Sequence, residues 1–339
     1  MSTVPKITPM LQQYLEIKEQ YPGTILFYRM GDFYEMFFED AEVAAKVLGI
    51  TLTSRSHKDE VNKIPMCGVP YHAVSMYLGK MVKAGFRVAI CEQVEDPKEA
   101  KGIVRREVIR VVTPGVTTDD QLLDAKADCY VCALVLLKKS AKEQLAGLAF
   151  VDISTGRFQL TELDFSLRRP EVLIDVFTRL RPAELLLPQS RFEELASLAK
   201  DLQAELGQLC LTPRPDVHFE PQTALTALTE HFHTANLAGF GCDHFTAATH
   251  AAGALLHYLH ETQKTDLAHI KQLTPLHHSG FLVIDDSSRR NLELTETLVG
   301  GQRQGSLLAA LDQTTTPMGA RLLRCLLYTS PSPRDYCAH

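Results

Sequence analysis

The chain reads as a multidomain α/β protein, and three observations predict it. Its 339 residues, 45% of them hydrophobic, are enough for two or three separately cored domains. Short runs rich in β-branched and aromatic residues alternate with stretches of helical spacing through the first two-thirds of the chain. From about Phe245 the text becomes helical, and Ala251, Leu255, Tyr258 and Leu259 mark one apolar stripe.

The first domain spans residues 1–112. Thr8-Pro9 opens a helix with Pro at its first position, and Pro22-Gly23 closes it. Thr24 to Met30 is a strand, Gly31-Asp32 breaks it, and Phe33 to Leu48 runs at helical spacing. A strand is therefore expected to hand the chain to a helix with Phe33 and Glu35 in its first turn. Next come a short strand at Ile50 to Thr53, a polar loop from Ser54 to Lys63, and a helix from about His72 to Ala84. Strands Arg87 to Gln93 and Glu107 to Val112 complete a mixed sheet-and-helix unit.

Thr113-Pro114-Gly115 and the polar run after it, residues 113–127, read as a linker. Over 128–243, Cys129 to Leu137, Leu145 to Val151 and Gly156 to Leu163 read as strands, followed by helices alternating with the strand Ala183 to Leu187: an α/β domain with an antiparallel start. A helical domain is expected over 244–324. Residues 325–339 do not continue it, because Ser330-Pro331-Ser332-Pro333 cannot remain helical; this stretch reads as an aberrant tail.

Composition narrows the function classes. No run of eighteen apolar residues and no basic-then-apolar leader occur, so the expectation is a soluble, cytoplasmic protein with no membrane partner. Eight scattered cysteines fit reduced core thiols. Cys129 and Cys132 are three apart in strand text, which sends their thiols to opposite faces and argues against a metal or redox pair. Net charge is −6, yet Thr51 to Val112 holds 11 Lys/Arg against 7 Asp/Glu. That excess makes Arg55, Lys58, Lys63, Lys80, Arg105 and Arg106 candidates for phosphate contacts, with a solvated charged surface as the plain alternative for each.

Three enzymatic or metal readings are weak. A phosphate cradle for ATP ends in Gly-Lys-Ser/Thr, but Met81 follows Gly79-Lys80, and Ser306 stands where Lys is needed after Gly300 to Gly305. Ten of thirteen histidines fall between His218 and His278, but His231-x-His233 and His257-x-x-His260 are poorly spaced for shared ligation on a helix. Asp152 and Glu184 are strand-borne acids of the kind two-metal nucleases use, though Asp152 before Ser154-Thr155-Gly156 is more simply a turn residue. No catalytic residue and no metal ligand are assigned.

Phe33 and Glu35 admit two readings. In the first, Asp32 and Glu35 form a capping box and Phe33 packs with Phe37 in the core. In the second, they face a ligand. Gly31-Asp32-Phe33-Tyr34-Glu35-Met36-Phe37 resembles the mismatch-reading motif of the MutS DNA mismatch-repair family. Further segments resemble it in the same order: Thr8-Pro9-Met10, Tyr28-Arg29-Met30, Ile64-Pro65-Met66, Gly68-Val69-Pro70-Tyr71-His72-Ala73-Val74, Val88-Ala89-Ile90-Cys91-Glu92-Gln93 and Val112-Thr113-Pro114-Gly115. So do Ile284 to Leu294 and Thr316 to Leu323, so the resemblance covers roughly residues 7–324.

The resemblance implies a mismatch-recognition domain, an RNase H-like connector and the start of a helical core. It implies that Phe33 stacks beside a mispaired or unpaired base in kinked duplex DNA while Glu35 hydrogen-bonds that base. ATP and Mg2+ belong to full-length relatives, whose ATPase would lie downstream, so this stretch is expected to hydrolyse nothing and to need no cofactor. The family also implies MutL as a partner and a homodimer for full-length relatives, with this stretch expected to be monomeric. The alternative reading is a protein-interaction module that docks a repair partner such as MutL through the connector without binding DNA.

Overall fold

The structure, a computed structural model, describes residues 8–328 apart from 57–62, 96–101, 117–127, 141–142, 167–170, 196–197, 199–201, 204–208, 265–266, 277–283 and 285. Two compact units divide the chain: residues 1–122 with 258–267, and residues 123–257 with 268–339.

The first unit is built on β1 (Ile25–Met30), β2 (Phe33–Phe37), β3 (Thr53–Ser56), β4 (Lys63–Pro70), β5 (Val88–Gln93) and β6 (Arg106–Val112). They form one sheet in the order β3-β4-β2-β1-β5-β6, parallel only between β1 and β5. Helices α2 (Phe38–Leu48) and α3 (Val74–Lys83) cover one face, burying Phe27, Tyr34, Met36, Val69 and Ile90 against Ala41, Ala44, Leu78 and Met81. Helix α1 (Pro9–Gln20) covers the other with Leu11, Tyr14 and Ile17 on Leu26, Tyr28, Phe37 and Cys91. As the sequence predicts, Thr8 caps α1, its hydroxyl accepting from the Leu11 amide, and Pro9 sits in the first turn.

A buried carboxylate joins these layers. Asp40 is 5% exposed, and its oxygens accept from the Tyr14 hydroxyl (2.9 Å), Lys18 Nζ (2.6 Å) and the Leu26 amide (2.9 Å). Sequence-distant α1, β1 and α2 thus meet at one charge that is paired and hydrogen-bonded, the condition for a buried charge to be tolerated.

The structure corrects three local expectations here. Phe33 to Phe37 is a strand, and the helix starts only at Phe38, so Asp32 and Glu35 form no capping box. Phe33 and Phe37 are four apart, which shares a face in a helix and in a strand alike; the alternation of Tyr34 and Met36 into the opposite core decides for the strand. Ser54 to Ser56 of the expected polar loop belong to β3 and Lys63 opens β4, paired antiparallel, while 57–62 lie outside the described residues; Ile50 to Leu52 are not strand. Two prolines and a glycine in β4 disguise it, since Pro removes a ladder donor. Finally, Thr113 and Val116 are buried and joined by reciprocal turn hydrogen bonds, so the expected linker opens with a tight turn of this unit. Residues 117–127 of that linker lie outside the described residues.

The second unit starts with the meander β7 (Tyr130–Lys138), β8 (Gln144–Asp152) and β9 (Arg157–Phe165), as the sequence predicts. After α4 (Glu171–Leu180), β10 (Glu184–Pro188) pairs parallel with β7 and β11 (Cys210–Arg214) parallel with β10. With β12 (Leu273–Pro275) the sheet order is β11-β10-β7-β8-β9-β12. The helices α5 (Pro221–Phe232), α6 (Ala247–Gln263), α7 (Asp286–Asn291), α8 (Leu307–Leu311) and α9 (Pro317–Tyr328) follow, with α6 belonging to this unit as far as His257 and to the first unit from Tyr258 on.

The expected boundary between residues 243 and 244 is not where the sheet domain ends. A Cβ on Gly147 of β8 would lie 2.0 Å from the Ala247 carbonyl carbon, so the start of α6 rests directly on the sheet. Residues 273–275 also supply a strand to it, parallel to β9. The helical stripe seen in sequence is real, with Ala251, Leu255, Tyr258 and Leu259 all buried. Of the expected aberrant tail, 325–328 continue α9 and 329–339 lie outside the described residues.

Candidate nucleic-acid interface

Strand alternation builds the site. Gly31, at φ +58, supplies the left-handed residue of the two-residue turn between Met30 and Phe33, and β2 then runs antiparallel between β1 and β4. Tyr34 and Met36 point into the core under α2 and α3. Phe33, Glu35 and Phe37 take the other face. Phe37 is sealed by α1, its ring 5.1 Å from that of Tyr14 and nearly perpendicular to it. Phe33 lies towards the turn: it is 47% exposed, and Glu35 is half-buried. An exposed phenylalanine at a hairpin start contributes little to the core, which removes the packing explanation for it.

Gly68 and Pro70 of β4 lie across from Glu35 and Phe33. On the reverse face, Arg29, Tyr34, Tyr71 and Glu92 lock the hairpin. Tyr34 donates its hydroxyl to Glu92, whose carboxylate also sits 3.5 Å from Arg29 Nη1. The Arg29 guanidinium lies 3.5 Å from the centre of the Tyr71 ring, a close cation–π stack. Burial and then the Glu92 carboxylate push the Tyr34 hydroxyl well above its ordinary value, so it remains a donor. The Tyr71 amide donates to Asp32 O at 2.8 Å, tying the end of β4 to the turn.

The basic candidates separate. Lys63 and Lys80 are exposed, and Arg105 is exposed while engaging Glu107. Arg106 is corrected. It is 7% exposed, and its guanidinium donates to Arg29 O (2.7 Å) and Val104 O (2.8 Å) while lying over the Tyr28 ring, so it is an internal strut and offers nothing to a phosphate. Arg55 is on β3, its side chain undescribed, and Lys58 lies outside the described residues. Sequence reasoning passed over Arg29 and Tyr71 as individual site residues. Tyr71 is 47% exposed beside the turn, and an aromatic directly after Pro70 is the available signal.

The residues of the other candidate chemistries have these surroundings. Asp152 is fully buried and its Oδ1 accepts from the amide (2.9 Å) and hydroxyl (2.6 Å) of Ser154, the turn role expected of it. Glu184 is buried and accepts from Thr212 at 2.6 Å. Cys132 is core, and burial raises the Cys129 thiol to about 12. His231 and His269 bond the carbonyls of Ile270 and Ile153, whereas His218, stacked on His257 at 3.8 Å, converges with His257 and Glu261, their ligand atoms all within 4.8 Å of one another; His277 and His278 lie outside the described residues. Gly79-Lys80 lies within α3, not in a phosphate-binding loop. No helix among the described residues is long and apolar enough to cross a membrane.

Fold and site together define a multidomain α/β protein that presents an exposed aromatic and a carboxylate, two residues apart, on a rigid strand. Consecutive matches to MutS domain I over residues 8–121, MutS domain II over 129–271 and MutS domain III over 287–332 account for most of the chain. The DNA mismatch repair protein MutS of Desulfatibacillum aliphaticivorans is 47% identical over 96% of this chain and 35% of its own length. Those of Symbiobacterium thermophilum (44%; 95% and 36%) and Chlorobium phaeobacteroides (41%; 96% and 36%) are similar. The chain belongs to the MutS family. It spans about a third of the length of these relatives.

Proposed function

We propose that this chain reads mispaired and unpaired bases in duplex DNA, with Phe33 as the wedge and Glu35 as the hydrogen-bonding partner of the displaced base. The observation that carries this reading is the exposure of Phe33 on a strand whose alternate residues are buried. The ring enters the minor groove and stacks on one base while the duplex kinks. Unstacking costs a few kcal/mol and costs less at a mispair, so the mismatch is selected as the soft step. Lys63, Lys80 and Arg105, with Arg55 and Lys58, are the proposed backbone contacts.

The strand order of the second unit supports the RNase H-like assignment, with Asp152 and Glu184 in structural roles. Docking of MutL on that unit and dimerisation of the full-length protein rest on family membership. ATP and Mg2+ serve full-length relatives, and the glycine-containing stretches of this chain do not fit a triphosphate. Fluorescence anisotropy on a G·T duplex and its matched control at low salt, with Phe33→Ala alongside, tests the reading. A mismatch preference lost in the variant supports it; equal binding of both duplexes by the parent chain counts against it.

A further inference from the structure

The second unit contains a cavity of about 80 Å³, smaller than the ~150 Å³ void that holds a benzene ring in a protein core. Four arginines line it: Arg157 at the start of β9, Arg179 in the last turn of α4, Arg181 just after that helix, and Arg324 on α9. Asp128 is the one carboxylate in the lining. Tyr130 and Phe150, packed edge to face at 5.6 Å, give it an apolar wall. Positive charge at the carboxyl end of α4 complements the helix dipole, which accounts for Arg179 and Arg181, while Arg157 and Arg324 are close enough to Asp128 to act on its carboxyl.

Arg181 is the residue with the least structural excuse. It follows α4 at φ +46 with its amide on Phe177 O (2.7 Å), the position where helices favour glycine. One guanidinium nitrogen pairs with Glu296, but its Nε is buried and has no acceptor among the described residues. A strained arginine with an unmet donor, beside three more guanidiniums, marks a place prepared for an acceptor. Burial and then Asp152 push the Asp128 carboxyl above its ordinary range, which weakens the one carboxylate within the lining.

We propose that this cavity is an oxyanion site that takes a phosphate-sized tetrahedral anion, either free or as the terminal phosphomonoester of a small molecule. Guanidinium forks match phosphate oxygens in pairs, and the volume admits one such group, with anything esterified to it left outside the cavity. The site is separate from Phe33 and Glu35, and its test needs no DNA.

Thermal unfolding and calorimetric titration of the whole chain would be run with sodium phosphate, with AMP, and with sodium chloride at equal ionic strength. Stabilisation by phosphate beyond that of chloride is expected, with a measurable affinity that weakens about tenfold or more in Arg157→Gln and Arg181→Gly. Saturation by phosphate alone identifies the free ion; response to AMP only identifies a monoester. Because glycine relieves the left-handed strain, Arg181→Gly should melt no lower than the parent without phosphate. Equal effects of phosphate, AMP and chloride, or a phosphate response unchanged in both variants, would overturn the proposal.

Discussion

Gly68 lies directly opposite Glu35 across the β2–β4 ladder, and the Cβ it lacks would stand 3.7 Å from Glu35 Cγ and 3.9 Å from Phe33 Cδ1. Its backbone is not in a left-handed conformation, so space and not strain is what glycine provides there. Gly68→Ala should fold with a melting temperature close to the parent. Gly68→Val should also fold, yet crowd both readers and reduce discrimination of G·T over matched duplex by about tenfold, ~1.4 kcal/mol. Anisotropy with both duplexes measures the ratio, and an unchanged ratio would show that the pair has room to spare.

Phe33→Ala and Phe37→Ala should behave oppositely although both side chains share one face. Phe33 is 47% exposed and Phe37 fully buried. The first change should alter stability by less than about 1 kcal/mol and remove stacking worth roughly 1–3 kcal/mol at a mispair. The second should cost about 3–5 kcal/mol of folding stability. Urea denaturation beside anisotropy separates them, and a large stability loss in Phe33→Ala would make it a core residue after all.

Glu35→Gln tests the carboxylate. A charge brought against polyanionic DNA is repelled unless it gains a proton or a hydrogen bond, so its pKa should rise on binding. The amide should keep overall affinity, tighten binding to matched duplex and lose discrimination. Uniform loss of affinity for every duplex would contradict that role.

Alkaline pH should destabilise the first unit. Burial raises Cys67 to about 11, Cys91 to about 12 and Tyr28 to about 12, from ordinary values of 9.0, 9.0 and 10.0. The unfolded chain releases these protons first. Stability is therefore fully present below about pH 9 and declines as pH rises towards 12. Urea melts at about pH 8 and pH 10.5 should show the fall, and Cys91→Val should make it shallower; a flat profile would mean these groups ionise alike in both states.

Much of the fold is legible in the sequence. The cap at Thr8, the meander and the buried stripe of α6 followed from local chemistry and periodicity. What misled was ambiguity of period: Phe33 and Phe37 satisfy helix and strand alike, and only the long-range pairing of Glu35 with Gly68 resolves it. Pro65 and Pro70 hid β4 for the same reason, because its strand character comes from β2 and β3. Arg106 looked like a surface cation since nothing local reveals that Arg29 O and Tyr28 lie beneath it. Which of the exposed cations meets a phosphate is a property of a surface, and surface neighbours are not written in order along a chain.

The period-two division of β2 has a consequence for variation. Tyr34 and Met36 hold the domain together while Phe33 and Glu35 remain outside its core. Each residue type is thus answerable to one demand only. A drifting or engineered sequence can exchange the outward pair for other shapes and charges while Tyr34 and Met36 continue to hold the scaffold.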